Sequence, residues 1–225
     1  MIPKIIHYCW FGPKPIPSKV RKCLKTWKKF CPDYAIMLWN ESNSPLNEVF
    51  PRDALQNKKY AFVADYVRTW ALYTYGGIYM DTDMLVVKPL DDLLVYDCVL
   101  AYEKPDKAYL NVAFWGASMN NDFVKRVLDC YSSMVFNTKN IESNAIPLIV
   151  TAIYNAYEYP DRIKVFSYDW FYPFPGEKRR MGNYKKYITS NTYAVHLWNF
   201  SWLSIRERLC LKIKKILCYK NEEVK

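Results

Sequence analysis

The sequence lacks any long hydrophobic run, a leader-like start and a regular cysteine pattern. No window of the 225 residues approaches about 18 uninterrupted apolar residues, so no transmembrane helix is predicted. The start, MIPKIIHYCW, has no cationic region before a long apolar stretch, so no signal peptide is expected. The seven cysteines are scattered, and spacings such as Cys9, Cys23 and Cys31 fit no zinc pattern. We interpret them as reduced thiols of a cytoplasmic protein.

The chain also lacks internal repeats, low-complexity stretches and a recognisable nucleic-acid-binding motif. Hydrophobic residues make up 51% and aromatic residues 17%, which is typical of a globular chain that can bury a core. The net charge of +10 predicts an anionic partner, such as nucleic acid, an acidic membrane or a phosphorylated small molecule. We predict one domain over residues 1–202 and a basic helix over 203–225.

Predicted strands alternate with predicted helices along the chain, which favours an α/β fold with a mostly parallel sheet. The strands are expected at 4–10, 34–39, 78–83 with its loop, 98–103, 112–118, 163–168 and 192–198, and residues 84–90 are expected to continue extended after the third strand. The helices are expected from an N-cap at Ser18, weakly within 41–58, over 60–75 before Gly76, from Asn120 or Asn121 to about Phe136, and over Asn144–Tyr157.

The stretch YGGIYMDTDMLVV places two aspartates, Asp81 and Asp83, directly after a short apolar strand. Two carboxylates this close resist burial unless a positive charge lies between them. In an open α/β sheet, ligands bind outside the carboxyl ends of the strands, and that is where this pair falls. Hard oxygen ligands suit Mg²⁺ or Mn²⁺ rather than zinc, and such an ion typically bridges carboxylates to substrate phosphates.

The helix before the two glycines carries a second charged pair. Asp65 and Arg68 lie at i and i+3, so they share one face with the otherwise apolar Ala61 and Leu72. One interpretation is a functional pair that faces the D-x-D. The alternative is a structural ion pair between helix and sheet.

Three segments resemble the D-x-D sugar-nucleotide glycosyltransferases of sequence family 32: IPKIIHYCWFG, YAFVADYVRTWALYTYGGIYMDTDMLVVKPLD and AVHLWNFSW. That family includes bacterial capsule and exopolysaccharide transferases and initiating mannosyltransferases of the yeast Golgi, and it is distantly similar to the glucosylating clostridial toxins. The resemblance implies a Rossmann-related GT-A fold, a nucleotide-sugar donor, a divalent ion and retention of anomeric configuration. It extends from Ile2 to Trp202.

The resemblance also implies roles for individual residues. The catalytic set is Asp65, Arg68, Asp81 and Asp83. The metal is expected on Asp83, Asp81 and His196. The donor is expected to contact Trp10, Tyr79, Asn199, Ser201 and Trp202. Asn111 is either a further donor-sugar contact or a turn residue, and His7 is predicted to be a core residue.

The expected reaction transfers a hexose, from a UDP-sugar by default, to a saccharide or lipid-linked oligosaccharide in capsule or exopolysaccharide synthesis. No general base is assigned, because the departing phosphate can take the acceptor proton. The chain departs from the family at NAIPLIV, Asn144–Val150, where a T-G-P is usual. The resemblance implies that this loop contacts the acceptor. Two other readings stay open: a basic nucleic-acid-binding module, and a haloacid-dehalogenase-type phosphatase.

The basic C-terminal segment, SIRERLCLKIKKILCYK, predicts a membrane-surface helix. Apolar residues recur at helical spacing and basic residues surround them, a pattern typical of helices that lie on an anionic bilayer. Each basic group near such a surface contributes about 1 kcal/mol. The chain is therefore expected as a peripheral protein on the inner face of the cell membrane. The alternative is that the helix packs on its own domain.

Truncation after Trp202 is expected to leave a folded protein that no longer sediments with anionic liposomes, because the basic groups are gone. Sedimentation at low salt, with neutral liposomes as the control, measures this. Unfolding of the truncated chain, together with no binding of the intact chain to liposomes, would favour packing on the domain instead.

Overall fold

A computed structural model of the chain, describing residues 1–199, contains eight strands and five α-helices. The strands are β1 Ile5–Cys9, β2 Ala35–Trp39, β3 Gly77–Met80, β4 Met84–Val86, β5 Cys98–Tyr102, β6 Leu110–Ala117, β7 Ile163–Phe166 and β8 Ala194–His196. The helices are α1 Ser18–Phe30, α2 Val49–Gln56, α3 Tyr60–Tyr75, α4 Asp122–Ser133 and α5 Ile146–Asn155. Residues 203–225 and the domain boundary predicted before them lie outside the described residues.

Six strands form the central sheet in the order β2-β1-β3-β6-β5-β7. The pairs β1–β2, β1–β3 and β5–β7 are parallel, which confirms the predicted mostly parallel α/β sheet. Strand β6 is antiparallel to both of its neighbours, β3 and β5. The short strands β4 and β8 pair separately as a two-stranded antiparallel sheet.

Hydrophobic side chains cover both faces of the central sheet in two separate clusters. One cluster takes its helical members from α2, α3, α4 and α5, including Phe50, Val67 and Val127. The other lies under α1 and the β4–β8 sheet and includes Trp27 and Met84. Within residues 1–199, no helix combines the length and apolar character needed to cross a bilayer.

Several predicted element ends are wrong by one or a few residues. Ser18 is the first residue of α1 rather than its cap, because Pro17 occupies the cap position and no side chain caps the helix. Helix α5 starts at Ile146, and the buried Asn144 instead closes the preceding turn through bonds to backbone carbonyls. At α4 the prediction is confirmed, because the Asn121 side chain accepts a hydrogen bond from the Val124 amide.

Two consecutive glycines connect α3 to β3 and set the start of the strand that ends at the D-x-D. Gly76 and Gly77 have φ of +63° and +109°, a region that residues with a Cβ rarely adopt. A Cβ on Gly77 would also lie 2.7 Å from the carbonyl oxygen of Ile5 on β1. The close approach brings β3 beside β1, with which it pairs from Ile78.

His7 on β1 is a core residue, as predicted, and its side chain is fully buried. Its Nδ1 accepts a hydrogen bond from the Trp39 indole at 3.1 Å, and its Nε2 lies 2.7 Å from the carbonyl oxygen of Gly76. These two bonds require the neutral ring with its proton on Nε2. Burial lowers the pKa of His7 to about 4, although the Gly76 carbonyl opposes this shift.

We expect His7→Gln to make the free energy of unfolding less dependent on pH below pH 7. Below pH 6.5 the unfolded chain takes up a proton at His7, but the folded chain does so only near pH 4, so folding stability falls as pH falls through this window. From pH 7 to pH 4.5 the wild type should lose about 2–3 kcal/mol more than the variant. Glutamine can make both hydrogen bonds without titrating.

Urea unfolding of both proteins at the two pH values measures this difference. An equal loss of stability in wild type and His7→Gln between the two pH values would contradict the lowered pKa of His7.

Candidate active site

The D-x-D forms a tight turn between β3 and β4. The Asp81 amide donates to the Ala113 carbonyl of β6 at 2.8 Å, and the Met84 amide donates back to the Asp81 carbonyl at 2.9 Å. The turn therefore lies at the carboxyl end of β3, beside the carboxyl end of its parallel neighbour β1. This is the sheet edge where ligands bind in open α/β folds.

Arg68 on α3 is the positive centre of this edge. Its Nη2 lies 2.9 Å from Asp65 and 3.3 Å from Asp81, and its Nη1 donates to the Val112 carbonyl at 3.0 Å. The guanidinium also lies 4.3 Å from the centre of the Tyr79 ring. Burial opposes the charge on Arg68, but Asp81, Tyr79 and Asp65 raise its pKa, so it stays cationic.

Asp65 is buried against this guanidinium at the N-terminus of α5. The Ile146 amide donates a hydrogen bond to its carboxylate. Burial nevertheless raises the pKa of Asp65 to about 7, because the charge of Arg68 offsets only part of the lost hydration. Asp65 and Arg68 therefore form a buried ion pair, and Arg68 also contacts Asp81 of the D-x-D, so these contacts agree with both interpretations of the pair.

Asp83 is held by His196, the last residue of β8, and by Asn199, which follows the strand. Its Oδ1 lies 3.1 Å from Nε2 of His196, and its Oδ2 accepts a hydrogen bond from the Asn199 amide at 2.7 Å. Burial opposes the charge on Asp83, but His196 and the Asn199 amide lower its pKa below the usual value. The same contact with Asp83 raises the pKa of His196, against the effect of burial.

Asp81, Asp83 and His196 can together hold a metal ion. Their ligand atoms lie within 4.8 Å of one another, and two atoms about 2.1 Å from a common ion are at most about 4.2 Å apart, so small side-chain rotations suffice. Nδ1 of His196 and the side-chain nitrogen of Asn199 are buried and have no hydrogen-bond partner in the described part of the chain. Of the three carboxylates at this edge, Asp65 and Asp81 contact the Arg68 guanidinium, and Asp83 contacts His196.

The other predicted site residues are placed as follows. Trp10 directly follows β1 at the same sheet edge, half-buried, with its indole nitrogen donating to the Lys14 carbonyl at 2.7 Å. Tyr79 is buried under Arg68, and its hydroxyl donates to Asp81 at 3.0 Å. Asn111 is buried with its side chain bonded to Glu103. Ser201 and Trp202 lie outside the described residues.

Sequence reasoning missed two aromatic residues beside His196. The buried Tyr172 hydroxyl donates to the Asn111 carbonyl at 3.0 Å and accepts from the Phe114 amide at 2.9 Å. The Trp198 ring lies 4.0 Å from the His196 ring, with its backbone in the left-handed region at φ +53°. Such a backbone is rare for a bulky residue and clusters at functional sites. Trp198 lies inside the closing motif AVHLWNFSW, which was a usable signal, whereas no pattern points to Tyr172.

Comparison with known families confirms the resemblance seen in the sequence. Residues 17–100 match the family described as "Glycosyltransferase sugar-binding region containing DXD motif". The matched region includes Asp65, Arg68 and both aspartates of the D-x-D. This part of the chain is therefore similar to the DXD-containing sugar-binding region of glycosyltransferases.

Individual relatives agree with this class. The chain is 28% identical over 178 residues to inositol phosphoceramide mannosyltransferase 3 of Schizosaccharomyces pombe, covering 75% of this chain and 49% of that protein. It is 36% identical over 101 residues to the uncharacterized glycosyltransferase L373 of Acanthamoeba polyphaga mimivirus, covering 42% of this chain and 40% of that protein. The matched part thus spans less than half the length of these relatives.

The fold is similar to that of a solved glycosyltransferase, PaToxG. The two chains superpose with a TM-score of 0.57 at 22% identity, over 71% of this chain and 72% of the other. This likeness confirms the predicted GT-A-like architecture.

We expect Asp83→Asn to weaken Mn²⁺ binding at least about tenfold, because the change removes one negative ligand. Asparagine can still accept the Asn199 amide bond, so the fold should survive. Titration of free Mn²⁺ by electron paramagnetic resonance measures the affinity. Asp129→Asn is the matched control, because Asp129 lies on the exposed face of α4 and pairs with Lys125. Equal Mn²⁺ affinity in Asp83→Asn and wild type would refute the metal site.

Proposed function

We propose that this chain is a metal-dependent, retaining glycosyltransferase that moves a hexose from a nucleotide sugar to a saccharide or lipid-linked acceptor. One observation carries the proposal. Asp81 and Asp83 stand side by side at the end of β3, one bound to the Asp65–Arg68 pair and the other to His196. In this proposal the D-x-D joins the Arg68 guanidinium, beside the donor sugar, to a group of side chains that can bind a metal. The match of residues 17–100 to the DXD sugar-binding region supports the same reading.

Arg68 is the chain's own contribution to leaving-group departure. Asp65, Asp81 and the Val112 carbonyl fix its guanidinium before any donor binds, so little reorganisation is needed when negative charge develops on a phosphate. Asp65 has a raised pKa and meets Arg68 through Oδ1. A carboxyl in this position can accept a hydrogen bond from a sugar hydroxyl when ionised, or donate one to it when protonated.

A divalent ion fits Asp81, Asp83 and His196, and when bound it would supply positive charge to the diphosphate leaving group. Two carboxylates favour Mg²⁺ or Mn²⁺, and the imidazole favours a transition metal, so Mn²⁺ satisfies both preferences. Asn199 holds Asp83 through its backbone amide, and the Trp198 ring packs on His196. These contacts orient the two ligands and limit the access of water to them.

The relatives support a proposal for the donor and acceptor classes. A mannosyltransferase named for inositol phosphoceramide supports a hexose donor and an acceptor carrying a lipid. We propose a UDP-hexose as the first donor to test, with GDP-hexoses beside it. We keep a lipid-linked saccharide of capsule or exopolysaccharide synthesis as the acceptor, and with it a place for the chain at the cytoplasmic membrane surface.

Turnover is expected to depend on the Asp65–Arg68 pair. Asp65→Asn and Arg68→Lys should each lower donor turnover by about 10²-fold, the scale of a lost charged transition-state contact. Lysine keeps the charge but cannot reach Asp65, Asp81 and Val112 at once. The assay follows release of nucleoside diphosphate from UDP- and GDP-hexoses with Mn²⁺, and NMR of the product gives its anomeric configuration.

Arg126→Lys is the matched control, because Arg126 lies on an exposed face of α4. Thermal unfolding of every variant accompanies the assay. Activity that falls only in proportion to lost stability would show that the pair is structural. If the wild type turns over no nucleotide sugar, the proposed function is wrong.

A further inference from the structure

Three consecutive carbonyls at the start of β6 anchor the parts of the site. The Asn111 carbonyl accepts from the Tyr172 hydroxyl at 3.0 Å and the Val112 carbonyl accepts from Arg68 at 3.0 Å. The Ala113 carbonyl accepts from the Asp81 amide at 2.8 Å. The position of this short segment therefore sets where the guanidinium and the first aspartate of the D-x-D lie relative to each other.

On the β5 side, regular strand pairing holds Asn111 but not Val112 or Ala113. Ala101 pairs with Asn111 and Val99 pairs with Gly116, so the register shifts between them. On the other side, the pairing of β6 with β3 reaches only Phe114, opposite Met80. Val112 and Ala113 thus lie where both ladders are interrupted, and bulged strands of this kind re-aim groups next to active sites.

The side chain of Asn111 spans the interruption. Its Oδ1 accepts from the Ala113 amide at 2.8 Å, and its Nδ2 donates to Oε2 of Glu103 at 2.9 Å. Glu103 directly follows β5, where its amide donates to the Tyr109 carbonyl at 2.9 Å. The Glu103 oxygen accepts this hydrogen bond, so the Asn111 amide turns its nitrogen to Glu103 and its oxygen to Ala113.

We propose that Glu103 and Asn111 form a positioning pair that holds residues 111–113 of β6, and through their carbonyls Arg68 and Asp81, in the geometry needed for sugar transfer. The inference rests on the proposed function. Glu103 acts through Asn111 rather than on the substrate, so an acceptor oxygen is required at position 103 and a negative charge is not. This separates Glu103 from the carboxylates of the D-x-D.

The test compares Glu103→Ala, Glu103→Gln and the matched control Lys104→Ala, which breaks the exposed contact of the next residue with Glu177. Glu103→Ala should lower kcat by about tenfold or more, since small misplacements of reacting groups have large effects on rate. KM for the donor should stay within about threefold. Glu103→Gln, whose amide oxygen still accepts from Asn111, should recover most of the lost kcat.

A double-variant cycle tests the pair independently of the folding of any one variant. Because the two residues act as a unit, Glu103→Ala combined with Asn111→Ala should lose no more than the larger single loss. Additive losses overturn the inference, as does a wild-type kcat in Glu103→Ala. A Glu103→Gln variant as inactive as Glu103→Ala also overturns it, because the charge itself would then be required.

Hydrogen exchange at the Asp81 amide separates this inference from the proposed function. The amide bonds to Ala113, so it should exchange faster in Glu103→Ala than in wild type or Glu103→Gln. If wild-type protein turns over no nucleotide sugar, the proposed function fails, and exchange alone decides the positioning of residues 111–113. Unchanged exchange in Glu103→Ala overturns it.

Discussion

The buried guanidinium of Arg68 connects the three elements on which the site depends. It lies on α3, binds the D-x-D turn after β3 through Asp81, and binds the β6 backbone through Val112. A buried charge of this kind is stable only when several partners surround it, and removing one partner typically destabilises a protein by about 3–5 kcal/mol. Helix, turn and strand are therefore held in one arrangement by a group that, in the proposed function, also contacts the diphosphate.

Two sources of negative charge meet at the D-x-D, and each has its own counter-ion. Asp81 faces Arg68, whereas Asp83 faces His196 and the Asn199 amide. The first aspartate is thus tied to the core of the main sheet. The second is tied to the strand pair β4–β8 and to the residues that follow it. A ligand that bridges both aspartates would couple these two parts of the fold.

The Asp65–Arg68 pair shows how far spacing can be trusted. The i, i+3 spacing on an apolar stripe predicted one buried face, and both side chains are buried and in contact. The same pattern left a structural and a functional reading open. The choice depends on Asp81, whose distance from the helix no local pattern contains. His196 was assigned to the metal only through the family motif, because a lone strand histidine otherwise predicts a core residue like His7.

Local sequence determined the alternation of strands and helices, the glycine turn before β3 and the position of the D-x-D at the end of a strand. These features depend on the periodicity of apolar residues and on the positive φ of Gly76 and Gly77, which glycine adopts because it has no Cβ. Only the tertiary structure decided that β6 runs antiparallel to β3, that β8 brings His196 to Asp83, and that Glu103 holds Asn111. Each of these joins residues distant in the chain, and such contacts are selected by the packing of the whole sheet rather than by local pattern.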